Sequence, residues 1–205
     1  MRPSGPDTDN PVYRKQMAYF CRMGAWCLGG MEPPVGPRVE RCRWDDIPPN
    51  EEDVFGWETD LFGVASYALQ WATPEWRFLL RVGDKPVVHI AVLRRTVTVD
   101  GRAAAVGGMT RLITIPQQRN RGLATLALDH AARFITDELG VAFAMGFCVD
   151  RMIPFYRQRG WHEVDDRVMI DQPTGKLLSP CACVVLPCGV EQWPPGEVDI
   201  GGLPW

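Results

Sequence analysis

Polar and apolar positions begin to alternate at Val39, and Val39-Glu-Arg-Cys-Arg-Trp44 reads as a strand. Trp76–Val82 and Pro86–Val99 follow as two further strands, joined by the hairpin turn Gly83-Asp84-Lys85. Asp100-Gly101 is a second hairpin signal and leads into a strand over Ala103–Ile115. Between the first strand and these hairpins, residues of about 50–70 carry a helical pattern, with Asn50 as its cap and Glu51, Glu52 and Asp53 in its first turn. From Arg121 or Gly122 to about Leu139 the period lengthens to that of a helix, with Leu123, Leu126, Ala127, Ala131, Phe134 and Ile135 on one face. Gly140 stops that helix, and Val141–Val149 is apolar enough to be a buried strand. A short helix over about 151–159 ends at Gly160, and Val168–Ile170 and Ala182–Leu186 close the set as strands. Antiparallel hairpins followed by a β-α-β crossover predict a mixed α/β (α+β) fold, with a mixed central sheet flanked by helices.

Residues 1–38 stand apart from this rhythm. A polar, Pro-rich opening leads into the helix-like Tyr13–Cys27, and Gly29-Gly-Met-Glu-Pro-Pro-Val-Gly-Pro37 then forbids regular structure. The division expected is an N-terminal arm over 1–38 and a body over 39–205 with a tail from about 188. The apolar stretch of the arm suits docking on the body or on a second subunit, which makes a homodimer the expectation.

Composition narrows the chemistry. The 205 residues are 46% hydrophobic and 23% charged, as in an ordinary soluble domain. With 22 basic and 25 acidic residues the net charge is −3, which gives no electrostatic footprint for nucleic acid. Seven cysteines without C-x-x-C spacing and three histidines point to buried reduced thiols, not to a metal centre. The first residues lack the apolar core of a signal peptide, and no apolar run reaches the roughly eighteen residues of a membrane span. A cytoplasmic protein acting on a small-molecule substrate is expected.

The informative turn is Pro116-Gln-Gln-Arg-Asn-Arg-Gly-Leu-Ala124, between a strand and a helix. The first amides of a helix lack intrahelical partners and carry partial positive charge, so such a turn suits an anion. Gly122 removes a side chain where a phosphate must approach, and Arg119 and Arg121 offer charge-assisted bonds. The turn lacks the Lys-Ser/Thr pair of a nucleotide P-loop and the G-x-G-x-x-G spacing of dinucleotide sites.

Arg119-Asn-Arg-Gly-Leu-Ala124 resembles R/Q-x-x-G-x-G/A, the acyl-CoA pyrophosphate loop of the GCN5-related N-acetyltransferase (GNAT) superfamily. Phe155-Tyr156-Arg-Gln-Arg-Gly160-Trp161 is similar to that superfamily's Y-x-x-x-G-F/W, and the resemblance spans roughly residues 39–187. It implies a GNAT fold in which the two parallel strands at the crossover splay apart and acetyl-CoA (coenzyme A) threads between them. It further implies that Ile113, Thr114 and Ile115 bond the pantetheine. The amides of Arg119, Asn120, Arg121, Gly122, Leu123 and Ala124 would hold the pyrophosphate, and Tyr156 would be the general acid beside the thioester sulfur.

Two branches of the superfamily are similar in more detail. Val87–Arg95 and Val184-Val-Leu-Pro187…Gln192-Trp193-Pro-Pro-Gly196-Glu197-Val198 resemble segments of aminoglycoside 2′-N-acetyltransferases and of NodA-type N-acyltransferases. That implies a primary amine on an amino sugar, an aminoglycoside-type antibiotic above all, with Glu197, Asp199 and Trp193 at the substrate. Glu58 and Asp60, beside aromatic residues, would meet its ammonium groups. Thr110 stands where those enzymes carry a glutamate, so the base stays open among water, Asp150, Glu163, Asp165, Asp166, Glu197 and Asp199. His89, mid-strand in an apolar run, reads as a core histidine. A NodA-like enzyme using a longer acyl donor and a non-catalytic acyl-CoA sensor are the alternatives.

Overall fold

The computed structural model of the protein describes residues 36–46, 55, 65–189 and 191–205, all within the compact unit Val35–Trp205. Arg38, expected as the end of the arm, begins the first strand. Residues 1–35 of the arm, Glu58 and Asp60 lie outside the described residues. So does most of the helix expected over 50–70, of which Phe55 and the 3-10 turn Ala65–Tyr67 are described.

Ten strands form one mixed sheet among the described residues. β1 (Arg38–Arg43), β2 (Trp76–Val82), β3 (Lys85–Val99) and β4 (Arg102–Thr114) pair antiparallel in sequence order. After helix α1 (Leu123–Asp137), β5 (Phe143–Cys148) pairs parallel to β4, as the crossover predicts. Helix α2 (Ile153–Arg157) leads to the short β6 (His162–Glu163), then β7 (Val168–Gln172), β8 (Gly175–Leu178), β9 (Ala182–Pro187) and β10 (Val198–Asp199). β9 pairs antiparallel with β5 and carries β6 at the sheet edge.

β3 is long enough to hold two partners end to end on one edge. Its first half pairs with β2 from Val82↔Lys85 to Trp76↔Val92, and its far end pairs with β10 at Thr98 and Val99. β10 in turn runs parallel to β7, so the tail knits β3 to the β7–β8 hairpin.

Local geometry follows the residues at the turns. Asp100 and Gly101 have φ of 46° and 75°, the two left-handed positions of a primed hairpin turn. Gly140, at φ 61°, follows the end of α1. The helix expected over 151–159 is shorter: a 3-10 turn over Asp150–Met152 passes into five α-helical residues. Pro154, in the first turn of α2, has no N–H to donate to a longer helix continuing from Asp150. The strands β6, β8 and β10 were not expected; β6 and β10, at two residues each, are too short to show a period.

The two faces of the sheet bury separate cores. On one, Phe78, Leu80, Val88, Ile90, Val92 and Met109 meet the apolar stripe of α1, Leu123 to Ile135. On the other, Leu93, Val97, Val106 and Met145 are covered by the tail residues Ile200 and Trp205. Each fully buried aliphatic side chain contributes about 1.5–3 kcal/mol, so both layers are needed to hold the sheet.

Between the layers, Gly107 and Gly108 face opposite sides in mid-strand. A Cβ on Gly107 would come within 2.5–2.7 Å of Ile135, and one on Gly108 within 2.6–2.9 Å of the Trp205 indole. Glycine is therefore required at both positions by close approach, not by backbone conformation. Gly107→Ala should lower stability by about 1–3 kcal/mol through overpacking, read as a fall in the urea midpoint at constant m-value. Ile135→Ala removes the atoms that a Cβ at 107 would meet, so the double variant should lose less than the sum of the two single losses, a favourable coupling in the double-mutant cycle.

Candidate functional site

β4 and β5 begin as neighbours and then part. They pair from Val106↔Phe143 to Met109↔Gly146, after which β4 runs on to Thr114 and β5 to Cys148 without pairing to each other. The cause lies in β4. Ala91 pairs with Thr110 but His89 with Ile113, so β4 carries one more residue than β3 over this step. The extra residue is a β-bulge, and Arg111 there adopts φ 54°. A non-glycine residue in the left-handed region needs support.

His89 supplies it. Its Nδ1 lies 2.9 Å from the Arg111 carbonyl oxygen, which can only accept, so Nδ1 carries the proton. The ring is 1% exposed, and burial is the main reason its pKa falls to about 3. The bond to Arg111 works against that fall, whereas the positive charges of Arg77 and Arg111 reinforce it. His89 is thus a neutral donor under the bulge, in keeping with the core histidine read from the sequence. Trp44 stacks close by, with the Arg77 and Arg111 guanidinium carbons 3.7 Å and 4.5 Å from its ring centre.

Beyond the bulge the chain turns into α1. The Ile115 N–H donates to the Val87 carbonyl at 3.0 Å, and the Ile115 carbonyl accepts from Gln118 at 2.9 Å. In an antiparallel ladder alternate residues serve the same neighbour, so Ile113 and Ile115 face β3 and Thr114 faces the opening. Of the three residues expected at the pantetheine, Thr114 therefore offers its backbone to the gap. Its carbonyl already accepts from Arg119 Nε at 3.1 Å.

Asn120 at φ 61° and Gly122 at φ 75° turn the chain sharply into the helix. No atom lies within 4 Å of a Cβ built on Gly122, so the approach to this backbone is open. The Leu126 N–H bonds the Gly122 carbonyl at 3.2 Å, and no side chain caps the helix. The amides of Leu123, Ala124 and Thr125 therefore precede the first intrahelical bond. Arg119, Asn120, Arg121 and Gly122 are exposed, while the Leu123 side chain is buried and anchors the helix start.

Tyr156, on α2, packs between Phe155 and Trp161, with ring centres 5.2 Å and 5.3 Å away. Burial, and then the neighbouring Cys148, raise its hydroxyl pKa well above the ordinary tyrosine value, so it keeps its proton. Cys148 ends β5; burial pushes its thiol up to about 12, with smaller contributions from Cys181, Glu163 and Asp150. Tyr156 therefore stands by the end of β5, beyond the last pair of the parallel ladder. Arg159 binds this segment to the other motif: its Nε donates to Thr125 Oγ1 at 2.8 Å, and its guanidinium lies 3.8 Å over Phe155. The sequence did not single out Arg159. A second arginine in the three-residue run Arg157-Gln-Arg159 was the available hint.

The structure gathers the loop, Thr114 and Tyr156 around the opening and leaves Glu197, Asp199 and Trp193 elsewhere. Glu197 pairs with Arg167 at 3.4 Å, and its N–H donates to Asp100 Oδ1 at 3.0 Å in the β3–β4 hairpin. Asp199 pairs with Lys176 at 2.7 Å, and that bond is the main reason its pKa is lowered. Its strand partner Thr98 lies nine residues along β3 from His89, about 30 Å at the rise of an antiparallel strand. Trp193 sets its ring edge on Phe143, with centres 5.1 Å apart. Among the other carboxylates, Glu163 lies 3.5 Å from Arg157 and Asp166 accepts the Gly196 N–H at 2.9 Å, whereas Asp150 is exposed just past β5.

Comparison with known proteins shows the family and the fold. Residues 38–164 match the sequence model of the family described as Acetyltransferase (GNAT) domain. The GNAT family N-acetyltransferase YhbS of Escherichia coli, solved in complex with CoA, superposes with a TM-score of 0.55 at 15% identity. The match covers 86% of this chain and 99% of that one. A GNAT family acetyltransferase from Brucella melitensis, solved in complex with acetyl-CoA, gives a TM-score of 0.48 at 11% identity, covering 78% of this chain and 94% of that one. No curated protein matches the sequence.

The neutral His89 carries a consequence for stability. Its folded pKa, about 3, lies below the unfolded value near 6.5, so the unfolded chain binds the extra proton between them. Its contribution is complete above pH 6.5 and is lost as pH falls, by up to about 1.4 kcal/mol per pH unit. His89→Asn keeps a donor near the Nδ1 position and cannot titrate. Urea midpoints between pH 7 and 4 should fall less steeply for that variant than for the wild type; parallel profiles would mean that His89 is protonated in the fold.

Proposed function

The chain belongs to the GNAT acetyltransferase family, and we infer that it is an N-acetyltransferase that transfers the acetyl group of acetyl-CoA to a primary amine. The observation that carries this reading is the opening between β4 and β5, with the uncapped start of α1 at one end and Tyr156 beside the β5 end. The residues present fit the cofactor. Amides from Asn120 to Ala124 would hold the pyrophosphate, the expected Arg119 N–H being taken by the Pro116 carbonyl at 3.3 Å, with Arg121 adding a charge-assisted bond. Thr114 presents a strand edge for the amides of the pantetheine.

Acetyl-CoA supplies an activated thioester that an uncharged amine attacks directly. The protein's share is placement, exclusion of water and one proton. Holding donor and amine side by side makes the encounter effectively unimolecular. Tyr156 keeps its hydroxyl proton through the neutral range and would donate it to the departing sulfur. Asp150, exposed just past β5, is the carboxylate best placed to accept the proton of the amine.

The finer reading is an aminoglycoside-type amino sugar as acceptor, hence a resistance enzyme. It rests on the resemblance of the segment Val184–Val198, and Glu58 and Asp60 would then contact the ammonium groups. Glu197, Asp199 and Trp193 belong to the same reading, at a second contact region near the β3–β4 hairpin.

Thiol release from acetyl-CoA, measured over a panel of aminoglycosides, simple amino sugars and other amines with product masses, tests both levels. Turnover with an aminoglycoside supports the finer reading; turnover confined to other amines removes it and keeps the class. Binding of acetyl-CoA without turnover of any amine would favour a sensor. Tyr156→Phe should lower kcat by about 100-fold, the range of general-acid contributions, while the Kd for CoA stays within roughly twofold. Arg121→Ala should weaken CoA binding by roughly tenfold, the loss of one charge-assisted bond, and leave kcat at saturation near wild type.

A further inference from the structure

The opening between β4 and β5 ends where the two strands pair, and Trp205 packs against the pairs at that end. The last parallel pair is Met109↔Gly146, and the pair before it is Gly108↔Met145. The Trp205 indole lies across that pair. Its atoms stand 2.6–2.9 Å from a Cβ built on Gly108, and its Nε1–H donates to the Met145 carbonyl at 3.1 Å. Phe147, the first β5 residue past the ladder, meets the same ring edge-on with centres 5.3 Å apart. Trp205 is 1% exposed, and its segment is pinned by the Ala72 N–H on the Pro204 carbonyl at 2.7 Å. On the opposite face, Met109 and Ile135 fill the space over Gly107.

We propose that Trp205 sets the length of acyl group the enzyme accepts, restricting the donor to acetyl-CoA and its nearest homologues. The proposal rests on the acetyltransferase reading. A donor whose pyrophosphate is held at the C-terminal end of β4 extends its thioester arm back along the strand toward the paired end. The acyl group follows the thioester and meets the indole. A methyl group ends short of that wall, whereas each added methylene must displace a ring that is hydrogen-bonded and packed on both sides. Discrimination per methylene against a rigid apolar wall is about 10-fold or more.

The test compares acetyl-, propionyl-, butyryl- and hexanoyl-CoA with the full chain, both as Kd by calorimetry without acceptor and as kcat/KM with one amine the wild type acetylates. The wild type should lose about 100-fold or more between acetyl and butyryl, two methylenes at roughly tenfold each. Trp205→Ala should raise the butyryl-to-acetyl ratio by roughly tenfold, and Trp205→Phe, a smaller truncation that preserves the packing, by a lesser factor in the same direction. Urea titration identifies folded variants, and Trp205→Phe decides the matter if Trp205→Ala does not fold. An unchanged chain-length profile in a folded variant, or a wild type that takes hexanoyl-CoA as readily as acetyl-CoA, overturns the proposal and leaves the acetyltransferase reading intact. Failure of the wild type to bind any of the four thioesters overturns both.

Discussion

Everything at the site depends on one backbone distortion, the left-handed Arg111 in β4, and on the buried bond that sustains it. A non-glycine residue in that region costs of order 1–2 kcal/mol relative to ordinary strand geometry. The Nδ1–H of His89 on the Arg111 carbonyl offsets this cost, and burial makes the bond expensive to break, because its loss would strand a desolvated carbonyl. With the extra residue in place, β4 bends away from β5 four pairs into their parallel ladder. A regular β4 would continue pairing to the end of β5, and the gap that Thr114 faces would not exist.

The electrostatics of the opening follow from that arrangement. The groups nearest it are neutral by burial: His89 has lost its proton, and Tyr156 and Cys148 keep theirs. Positive charge is displaced to the exposed rim, on Arg119 and Arg121, where an anion can reach it without desolvating the interior. A chain with a net charge of −3 thereby presents a local cationic edge at the loop, while the buried Arg77 and the Arg111 guanidinium lie over Trp44 behind the bulge. Arg159 keeps edge and interior in register, because it is bonded to the first turn of α1 and stacked on the residue next to Tyr156.

What the sequence made legible was local. Asp100-Gly101, Gly140 and Gly122 announce their positions because positive φ selects their residue types. The strands β2 to β4 show their period, β5 shows as an apolar run, and the two motifs announce the loop and Tyr156. The bulge was not legible, since arginine has no preference for the left-handed region and Arg111 adopts it only because His89 lies beneath. The need for glycine at 107 and 108 was not read from the sequence, since nothing local says that Ile135 and Trp205 approach there. The surroundings of Glu197 and Asp199 were equally hidden. They are set by the two-residue β10, whose place between β3 and β7 is a tertiary fact.

The covering of Gly108 by Trp205 also divides the molecule by the order in which its parts can assemble. The loop, α1 and the Tyr156 segment close contacts over a few tens of residues, as in the 34-residue span from Thr125 to Arg159. The bond from Trp205 to Met145 spans 60 residues, and that from Glu197 to Asp100 spans 97. Chain entropy opposes the longer closures more strongly, and contacts of high sequence separation form late. The donor-binding half of the site is thus the early, locally encoded half, and the paired end of the opening is covered only when a distant segment returns to the sheet.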